Sequence, residues 1–191
     1  ISACGNHSLG LKTNAHIAAW GSNVYGQCNV TEPNSGFFAI SAGGSQCMGL
    51  KENGSIATWG QNTWGQCNVP APNNGWIAIS AGWGFSLGLK TNGSIVAWGN
   101  NDHGQCNVPS PNSGFVAVSA GEGHSLGLKV NGSVTAWGRN NWGQCTVAAS
   151  NSGFKTVSAS GDQSLGLKAN GSIVAWGYNG QGQGNVTPPN S

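Results

Sequence analysis

The chain has 191 residues, of which only 6% are charged, and its seven basic and five acidic side chains give a formal net charge of +2. This length suits one domain that can bury a core. Five of the seven basic residues recur at a single repeated position, whereas a nucleic-acid binder clusters Lys and Arg, so no nucleic-acid partner is expected. Nine Trp and five Phe are atypical of disordered chains.

The sequence predicts no membrane span, because no apolar run approaches the roughly 20 residues that a spanning helix needs. Its first residues, Ile1-Ser2-Ala3-Cys4, lack the basic and apolar regions of a signal peptide. A mature secreted chain would begin in the same way, and a secreted or cell-surface location is the one we favour.

One unit of 39 residues recurs through the whole chain. The segment Ser8-Leu9-Gly10-Leu11-Lys12 returns in residues 47–51, 86–90, 125–129 and 164–168, with Cys47 and Met48 as its main departures. A Trp-Gly pair follows in the same register, at Trp20, Trp59, Trp98, Trp137 and Trp176. A period that covers the entire chain predicts a repeat architecture.

Each repeat predicts three or four short strands in a fixed order. A strand of small residues comes first, then the Ser-Leu-Gly-Leu-Lys strand, then a Val/Ile-rich strand that ends at the Trp. Asn92-Gly93 and its copies between the second and third strands predict a type I′ hairpin, with Asn14-Ala15 as the one departure. Pro70 and Pro109 end the last strand, where a missing N–H is harmless. No window has helical periodicity, so the fold class is all-β.

The repeats must stack, because a single blade cannot bury both of its faces. Small residues in the first strand, such as Ser80 and Ala81, suit the crowded axis of a propeller. We therefore predict a β-propeller of five 39-residue blades that forms a single domain over residues 1–191. Asn190-Ser191 matches Asn34-Ser35, and Ile1-Ser2-Ala3 matches Ile40-Ser41-Ala42, which predicts a ring closed by N- and C-terminal strands of one seam blade. A monomeric ring is favoured, and closure between chains is the alternative.

The run from Ala120 to Lys129 is followed by Ala-Trp-Gly and then by Gly-Gln. This pattern resembles the regulator-of-chromosome-condensation repeat in all five copies. The tail Gly-Gln-Cys-Asn-Val-Pro over residues 104–109 is similar to the bacterial branch of that family, which includes β-lactamase inhibitory protein II. The resemblance implies a propeller, usually of seven blades, whose loops bind other proteins. It implies neither nucleotide exchange nor β-lactamase inhibition, because those functions reside in particular loop residues.

Two loops vary between the copies, one after the Trp and one before the Ser-Leu-Gly-Leu strand. Aromatic residues at exposed loop tips are costly for solubility but useful for contact. The candidate binding residues are Tyr25, Trp64, Trp83, Phe85, His103, Glu122, His124, Arg139, Trp142 and Tyr178. We favour protein binding through this rim. The alternatives are a multivalent lectin that stacks sugars on the aromatic rings, aromatic residues that only cover their own blades, and an engineered or recently amplified propeller with no specific ligand.

The sequence predicts no enzyme and no cofactor. His103 with Glu122, or His124 with Asp102, fall in variable loops and would need to approach within hydrogen-bond reach for acid–base chemistry. Polar side chains that are simply solvated in surface loops would explain these residues equally well. Cys4-x-x-His7 is half of a zinc pattern without a second half, so no metal is expected.

The cysteines and lysines have structural interpretations. Cys28, Cys67, Cys106 and Cys145 share one repeated position, and a ring would hold them beyond the roughly 7 Å Cα limit for a disulfide. We expect small buried thiols, with Cys4 or Cys47 able to pair with one of them. The Lys that ends each second strand forms a ring of charges that is either solvated or attracts an anion.

Overall fold

The computed structural model describes residues 1–147 and 150–187, which contain fifteen strands and no helix. These residues therefore include no helix of the length and apolarity that spans a membrane. The strands are β1 (Ser2–Cys4), β2 (His7–Leu11), β3 (Ile17–Gly21), β4 (Phe37–Ala42), β5 (Gln46–Lys51), β6 (Ile56–Gly60), β7 (Trp76–Ala81), β8 (Phe85–Lys90), β9 (Ile95–Gly99), β10 (Phe115–Ala120), β11 (His124–Lys129), β12 (Val134–Gly138), β13 (Phe154–Ser160), β14 (Gln163–Lys168) and β15 (Ile173–Gly177).

Consecutive strands form five antiparallel sheets of three strands each: β1-β2-β3, β4-β5-β6, β7-β8-β9, β10-β11-β12 and β13-β14-β15. We call these sheets blades 1 to 5. The all-β propeller architecture with five blades is confirmed, with three strands per blade. The single-domain assignment over residues 1–191 stays a prediction.

The hairpin between the second and third strands forms as predicted, but its turn type differs from the prediction. In blade 3, Gly93 N donates to Lys90 O at 2.9 Å, and only Gly93 has a positive φ, of 76°. Type I′ needs positive φ at both central residues, so the prediction of that type is wrong. The Asn92 side chain instead closes the loop, since its Oδ1 accepts from Ser94 N at 3.0 Å and Ser94 Oγ at 2.7 Å.

Apolar side chains pack between the blades. Leu126, Leu128 and Val134 of blade 4 lie against Phe154 and Trp176 of blade 5, and equivalent clusters join the earlier pairs of blades. In blades 2 to 5, the glycine in the middle of the second strand makes room for the aromatic residue that begins the first strand. A Cβ on Gly88 would lie 2.5 Å from the Trp76 ring, so only glycine fits there.

Two hydrogen bonds recur at each of the four junctions between neighbouring blades. The indole Nε1 of the third-strand Trp donates at 2.9 Å to a Gln carbonyl of the preceding blade, and the amide of the first-strand Ala donates to a Ser Oγ there. The indole bonds are Trp59 to Gln27, Trp98 to Gln66, Trp137 to Gln105 and Trp176 to Gln144. The amide bonds are Ala42 to Ser2, Ala81 to Ser41, Ala120 to Ser80 and Ala159 to Ser119.

A fifth junction, from blade 5 to blade 1, is absent among the described residues. Trp20 is 54% exposed, and Gln183 is exposed although its four counterparts are buried. Leu165 is 36% exposed, whereas the residues at its position in the other blades are 0% exposed. The described residues therefore form an open arc. We call Ala3, Ser8 and Trp20 of blade 1 the leading face, and Leu165, Leu167 and Gln183 of blade 5 the trailing face.

The predicted seam blade is not found in residues 1–147 and 150–187. Blade 1 is assembled from β1, β2 and β3 alone, and no sheet of this region combines strands from the two ends of the chain. Asn190 and Ser191, on which that prediction rested, lie outside the described residues.

One further junction position differs in chemistry from blade to blade. It is the first residue of each second strand, and its occupants are His7, Gln46, Phe85, His124 and Gln163. His124 is fully buried, and its Nε2 lies 2.9 Å from Ser164 Oγ of blade 5. Burial lowers the pKa of His124 to about 4, and the negative charge of Asp162 opposes this effect.

We predict that apolar truncation at a junction costs much more stability than the same truncation on the trailing face. Leu126→Ala should lose about 2–5 kcal/mol of unfolding free energy, as buried Leu→Ala substitutions do. Leu165 occupies the same repeat position in blade 5. Leu165→Ala should lower the unfolding free energy by at least about 1 kcal/mol less than Leu126→Ala, because the Leu165 side chain already contacts solvent. Denaturant unfolding of dilute protein measures both values, and equal losses would mean that Leu165 is covered in solution.

We also predict that His124 makes the fold acid-sensitive. Its folded pKa lies below the ordinary value of about 6.5, so the stability contributed by its neutral form is present above pH 6.5 and is lost as the pH falls towards 4. The largest loss from this one group is about 3 kcal/mol. His124→Gln, which introduces the residue of blades 2 and 5, should remove this part of the pH dependence in chemical unfolding.

His16→Gln, at an exposed hairpin residue, is the matched control for the replacement of a histidine by glutamine. The assignment of this acid sensitivity to His124 fails if the two variants and the original chain lose stability in parallel between pH 6.5 and 4.

Candidate binding site

Both variable loops of every blade lie at the same edge of the arc. The antiparallel order brings the ends of the first and third strands beside the start of the second strand. We call this edge the loop face. The Asn-Gly hairpins and the Lys residues that precede them lie at the opposite edge, the hairpin face.

A groove of about 400 Å³ crosses the loop face of blades 1 to 4. Six of the ten predicted binding residues line it: Tyr25, Trp64, Trp83, His103, Glu122 and Arg139. Polar side chains that include Gln61, Asn100 and Asp102 lie between them. The structure thus brings most of the predicted rim residues into one continuous surface, and we call it the loop-face groove.

The aromatic residues of the groove are held in place while about half of each remains exposed. Tyr25, Trp64 and Trp83 are 54%, 50% and 56% exposed. The Trp83 indole lies directly over Gly44, where an added Cβ would fall 1.4 Å from the ring, and Trp64 lies over Gly84 in the same way. Part of each side chain therefore covers the rim of the blades, as one of the alternatives expected. The remaining part is free to contact a partner.

A Gln side chain that recurs in every blade fixes the backbone of the loop after the third strand. The tip residue of this loop is Trp64 in blade 2 and His103 in blade 3. Gln66 Oε1 accepts from Trp64 N at 2.9 Å, and Gln105 Oε1 accepts from His103 N at 2.9 Å. Blades 1, 4 and 5 repeat this bond with Gln27, Gln144 and Gln183. Sequence reasoning missed these Gln residues, although their recurrence in every Gly-Gln pair was a usable signal.

Negative charge predominates on the loop face. Arg139 lies 3.5 Å from both Glu122 and Asp162, so one guanidinium faces two carboxylates. Asp102 accepts a hydrogen bond from Asn100 Nδ2 at 2.7 Å. Three of the five acidic residues and one of the seven basic residues of the chain are therefore on this face, while six Lys lie towards the hairpin face.

Four of the ten predicted site residues lie outside the groove. Phe85 and His124 are fully buried, because the first residue of the second strand points into the junction with the next blade. Their assignment to the rim is wrong. Trp142 and Tyr178 are on the loop face of blades 4 and 5, where their rings meet edge-on at 5.1 Å between centroids.

The two His–acid pairs do not form a hydrogen-bonded dyad in the described region. His103 and Glu122 line the same groove, but no hydrogen bond joins them there. His124 is buried beside Ser164, whereas Asp102 is exposed and bonds Asn100. The predicted absence of catalysis, cofactor and metal stays a prediction.

All six cysteines are free thiols, so the suggestion that Cys4 or Cys47 forms a disulfide is wrong. The four repeated thiols are partly buried and each lies 3.2–3.3 Å from a backbone carbonyl of its own loop, as Cys106 does from Asn100 O. Burial raises the pKa of Cys67, Cys106 and Cys145 to about 11. Cys47 is fully buried at the first junction, 3.1 Å from His7 Nε2.

The repeated Lys residues have a contact that the sequence did not predict. Lys90 Nζ lies 3.4 Å from the Trp76 ring centroid, and Lys51, Lys129 and Lys168 lie 4.7–5.0 Å from the Phe that begins their blade. Their ammonium groups cover the hairpin-face end of the aromatic residues, which is a cation–π contact. Attraction of an anion by these charges stays a prediction.

Comparison with known proteins supports the repeat assignment. Residues 76–105 and 115–144, in blades 3 and 4, match the family model of the regulator of chromosome condensation (RCC1) repeat. The same motif residues recur at the 39-residue spacing in the other three blades. A comparison with curated proteins finds no significant match.

Several solved structures have a similar fold. The ectodomain of the receptor kinase CR4 from Physcomitrella patens superposes with a TM-score of 0.76 at 24% identity, over 91% of this chain and 50% of that one. Human WBSCR16 gives 0.76 at 15% identity, over 93% and 61%. Prp20p from Saccharomyces cerevisiae gives 0.73 at 18% identity, over 91% and 56%.

The chain thus spans about half to three-fifths of the length of these structures. The predicted likeness to the bacterial branch is not tested by them and stays a prediction. The repeat match in blades 3 and 4, the blade topology and the likeness to these folds together support an RCC1-type β-propeller.

Proposed function

We propose that this chain is a non-catalytic protein-interaction module and that its partner binds in the loop-face groove. The observation that carries this proposal is the joint presence of Tyr25, Trp64 and Trp83, each about half exposed, in one groove. Contiguous exposed aromatic surface is characteristic of binding sites, and Trp and Tyr dominate the binding energy of protein interfaces.

The repeat geometry supports a binding role for the tip residues in particular. The Gln side chain fixes the loop backbone in every blade, so the tip residue is free to differ without a change of loop shape. Tyr25, Trp64 and His103 occupy equivalent tips in blades 1 to 3. A rigid scaffold that carries variable loop tips is a common arrangement in binding proteins.

The chemistry of the groove favours a partner segment with a Lys or Arg beside an apolar side chain. Asp102 and Glu122 supply negative charge, and the Trp faces can accept a cation. Arg139 is already engaged by Glu122 and Asp162, which leaves Asp102 as the groove carboxylate that forms no ion pair among the described residues.

Similar proteins are consistent with this proposal. The structure of Prp20p was described together with its binding properties to Gsp1p and histones, and yeast RCC1 (Prp20) has been solved bound to Kap60. Those partners belong to those proteins, and the inference for this chain is limited to binding protein. No observation favours a lectin over a protein binder. A secreted or cell-surface location and the lack of a nucleic-acid partner stay predictions.

We predict that the groove selects basic peptides and that Trp64 is required for their binding. Display of random 12-residue peptides should enrich sequences in which Lys or Arg stands beside an aromatic or aliphatic residue. With a synthetic copy of the most enriched peptide, Trp64→Ala should weaken binding about 30-fold, the loss typical of an interface hot spot. Fluorescence anisotropy of the labelled peptide gives the dissociation constants.

Trp142→Ala is the matched control, because Trp142 occupies the same loop position, is 53% exposed and lies outside the groove. The dissociation constant of the peptide for Trp142→Ala should change less than about 2-fold. Failure to enrich any peptide would contradict the proposal and favour a propeller without a ligand. Saturable binding on a glycan array that is lost in Trp64→Ala would favour the lectin alternative instead.

A further inference from the structure

We propose that Arg139 determines the charge specificity of the loop-face groove: it neutralises Glu122 and so restricts the partner to a segment with a single basic side chain. This inference rests on the proposed function of the groove and narrows the class of partner. Arg139 is a specificity-determining residue in this account, because it acts on the partner through the carboxylate whose charge it cancels.

Arg139 and its two carboxylate neighbours, Glu122 and Asp162, occupy repeat positions that are uncharged in every other blade. The other copies hold Gly, Ser, Asn, Gln, Trp or Tyr at these three positions. Four blades thus form without the three charges, so the general fold of a blade does not require them. The meeting of the three side chains is a local feature of the loop face of blades 4 and 5.

The guanidinium of Arg139 is held from outside the groove and faces a carboxylate within it. Its Nη1 lies 3.5 Å from Glu122 Oε1 and 3.5 Å from Asp162 Oδ1. Glu122 lines the groove, whereas Asp162 is not among the described residues of that lining. Asp162 Oδ1 also accepts from Gln144 Nε2 at 2.9 Å, so its carboxylate is fixed in turn. The Arg139 side chain is only 25% exposed, so solvent screens its charge incompletely.

Packing of the aliphatic part of Arg139 also keeps the guanidinium in place. A Cβ added to Gly123 would lie 3.3 Å from both Cβ and Cδ of Arg139 and 3.1 Å from Cδ2 of His103. The Arg139 stem and the His103 ring therefore lie over the same glycine. A basic side chain of a partner could reach Glu122 only by displacing Arg139 from this packing and from two carboxylates.

The groove consequently offers one carboxylate to a partner. Asp102 forms no ion pair among the described residues, and its Oδ2 accepts from Asn100 Nδ2 at 2.7 Å. One Lys or Arg of the partner can pair with Asp102. A second basic side chain near Glu122 would meet the like charge of Arg139, so it should add little or no affinity.

The test compares the original chain with Arg139→Gln in the display of random 12-residue peptides. Gln keeps the Cβ, Cγ and Cδ carbons of Arg without its charge, and Gln61 already occupies this position in blade 2. The original chain should enrich peptides with one Lys or Arg, and the variant should enrich peptides with two or more.

Fluorescence anisotropy measures the same effect on defined peptides. A second Lys is added, at each position in turn, to the peptide that the original chain enriches most. At the best position it should strengthen binding to Arg139→Gln about 5-fold and to the original chain less than about 2-fold. The gain for Arg139→Gln should shrink as the salt concentration is raised.

Lys12→Gln is the matched control, because it removes one positive charge from an exposed residue on the hairpin face. It should enrich the same peptides as the original chain. Circular-dichroism melts confirm that each variant folds, and Arg139→Asn, which introduces the residue of blade 3, replaces Arg139→Gln if the latter does not. A purely structural role of Arg139 would lower the melting temperature without changing the number of basic residues in the enriched peptides.

The inference is overturned if both chains enrich peptides with the same number of basic residues, or if the second Lys strengthens binding to both chains equally. Those results leave the proposed function of the groove standing. Failure of either chain to enrich any peptide would overturn the proposed function and this inference with it, so the two failures are distinguishable.

Discussion

The structure depends on the contact between one blade and the next. A three-stranded sheet has two apolar faces, and blades 2 to 4 bury both against their neighbours through one Leu-rich face and one Trp-containing face. The indole of that Trp donates to the Gln carbonyl of the preceding blade, and this bond recurs at all four junctions. Because the same Gln also holds the loop tip through its side chain, the packing of the blades and the shape of the loop face are coupled.

This coupling explains how a nearly uniform repeat can carry a specific surface. The residues that pack blades together recur in almost every copy, and the loop tips differ from blade to blade. Tyr25, Trp64 and His103 replace one another on the same backbone, and the glycines beneath the Trp rings leave space for them. The groove therefore arises from side-chain substitution alone. The clustering of acidic residues on this face and of Lys on the other gives the arc two edges of opposite charge.

Sequence reasoning predicted the blade order, the hairpins and six of the groove residues, since all of these follow from a 39-residue period and from loop composition. It could not separate His124 from His103, because the strand that begins at His124 turns that side chain into the next blade. It also predicted a closed seam from matching termini. That closure stays a prediction, because it rested on Asn190 and Ser191, which lie outside the described residues.

The exchange of indole N–H protons with solvent tests the junction account most directly. In dilute protein, NMR-detected hydrogen exchange should give strongly protected Nε1 protons for Trp59, Trp98, Trp137 and Trp176, each of which donates to a Gln carbonyl. Trp20, at the same repeat position, should exchange as fast as the exposed Trp83. Protection of Trp20 equal to that of the other four, with no change on dilution, would contradict the account and indicate a ring closed within one chain.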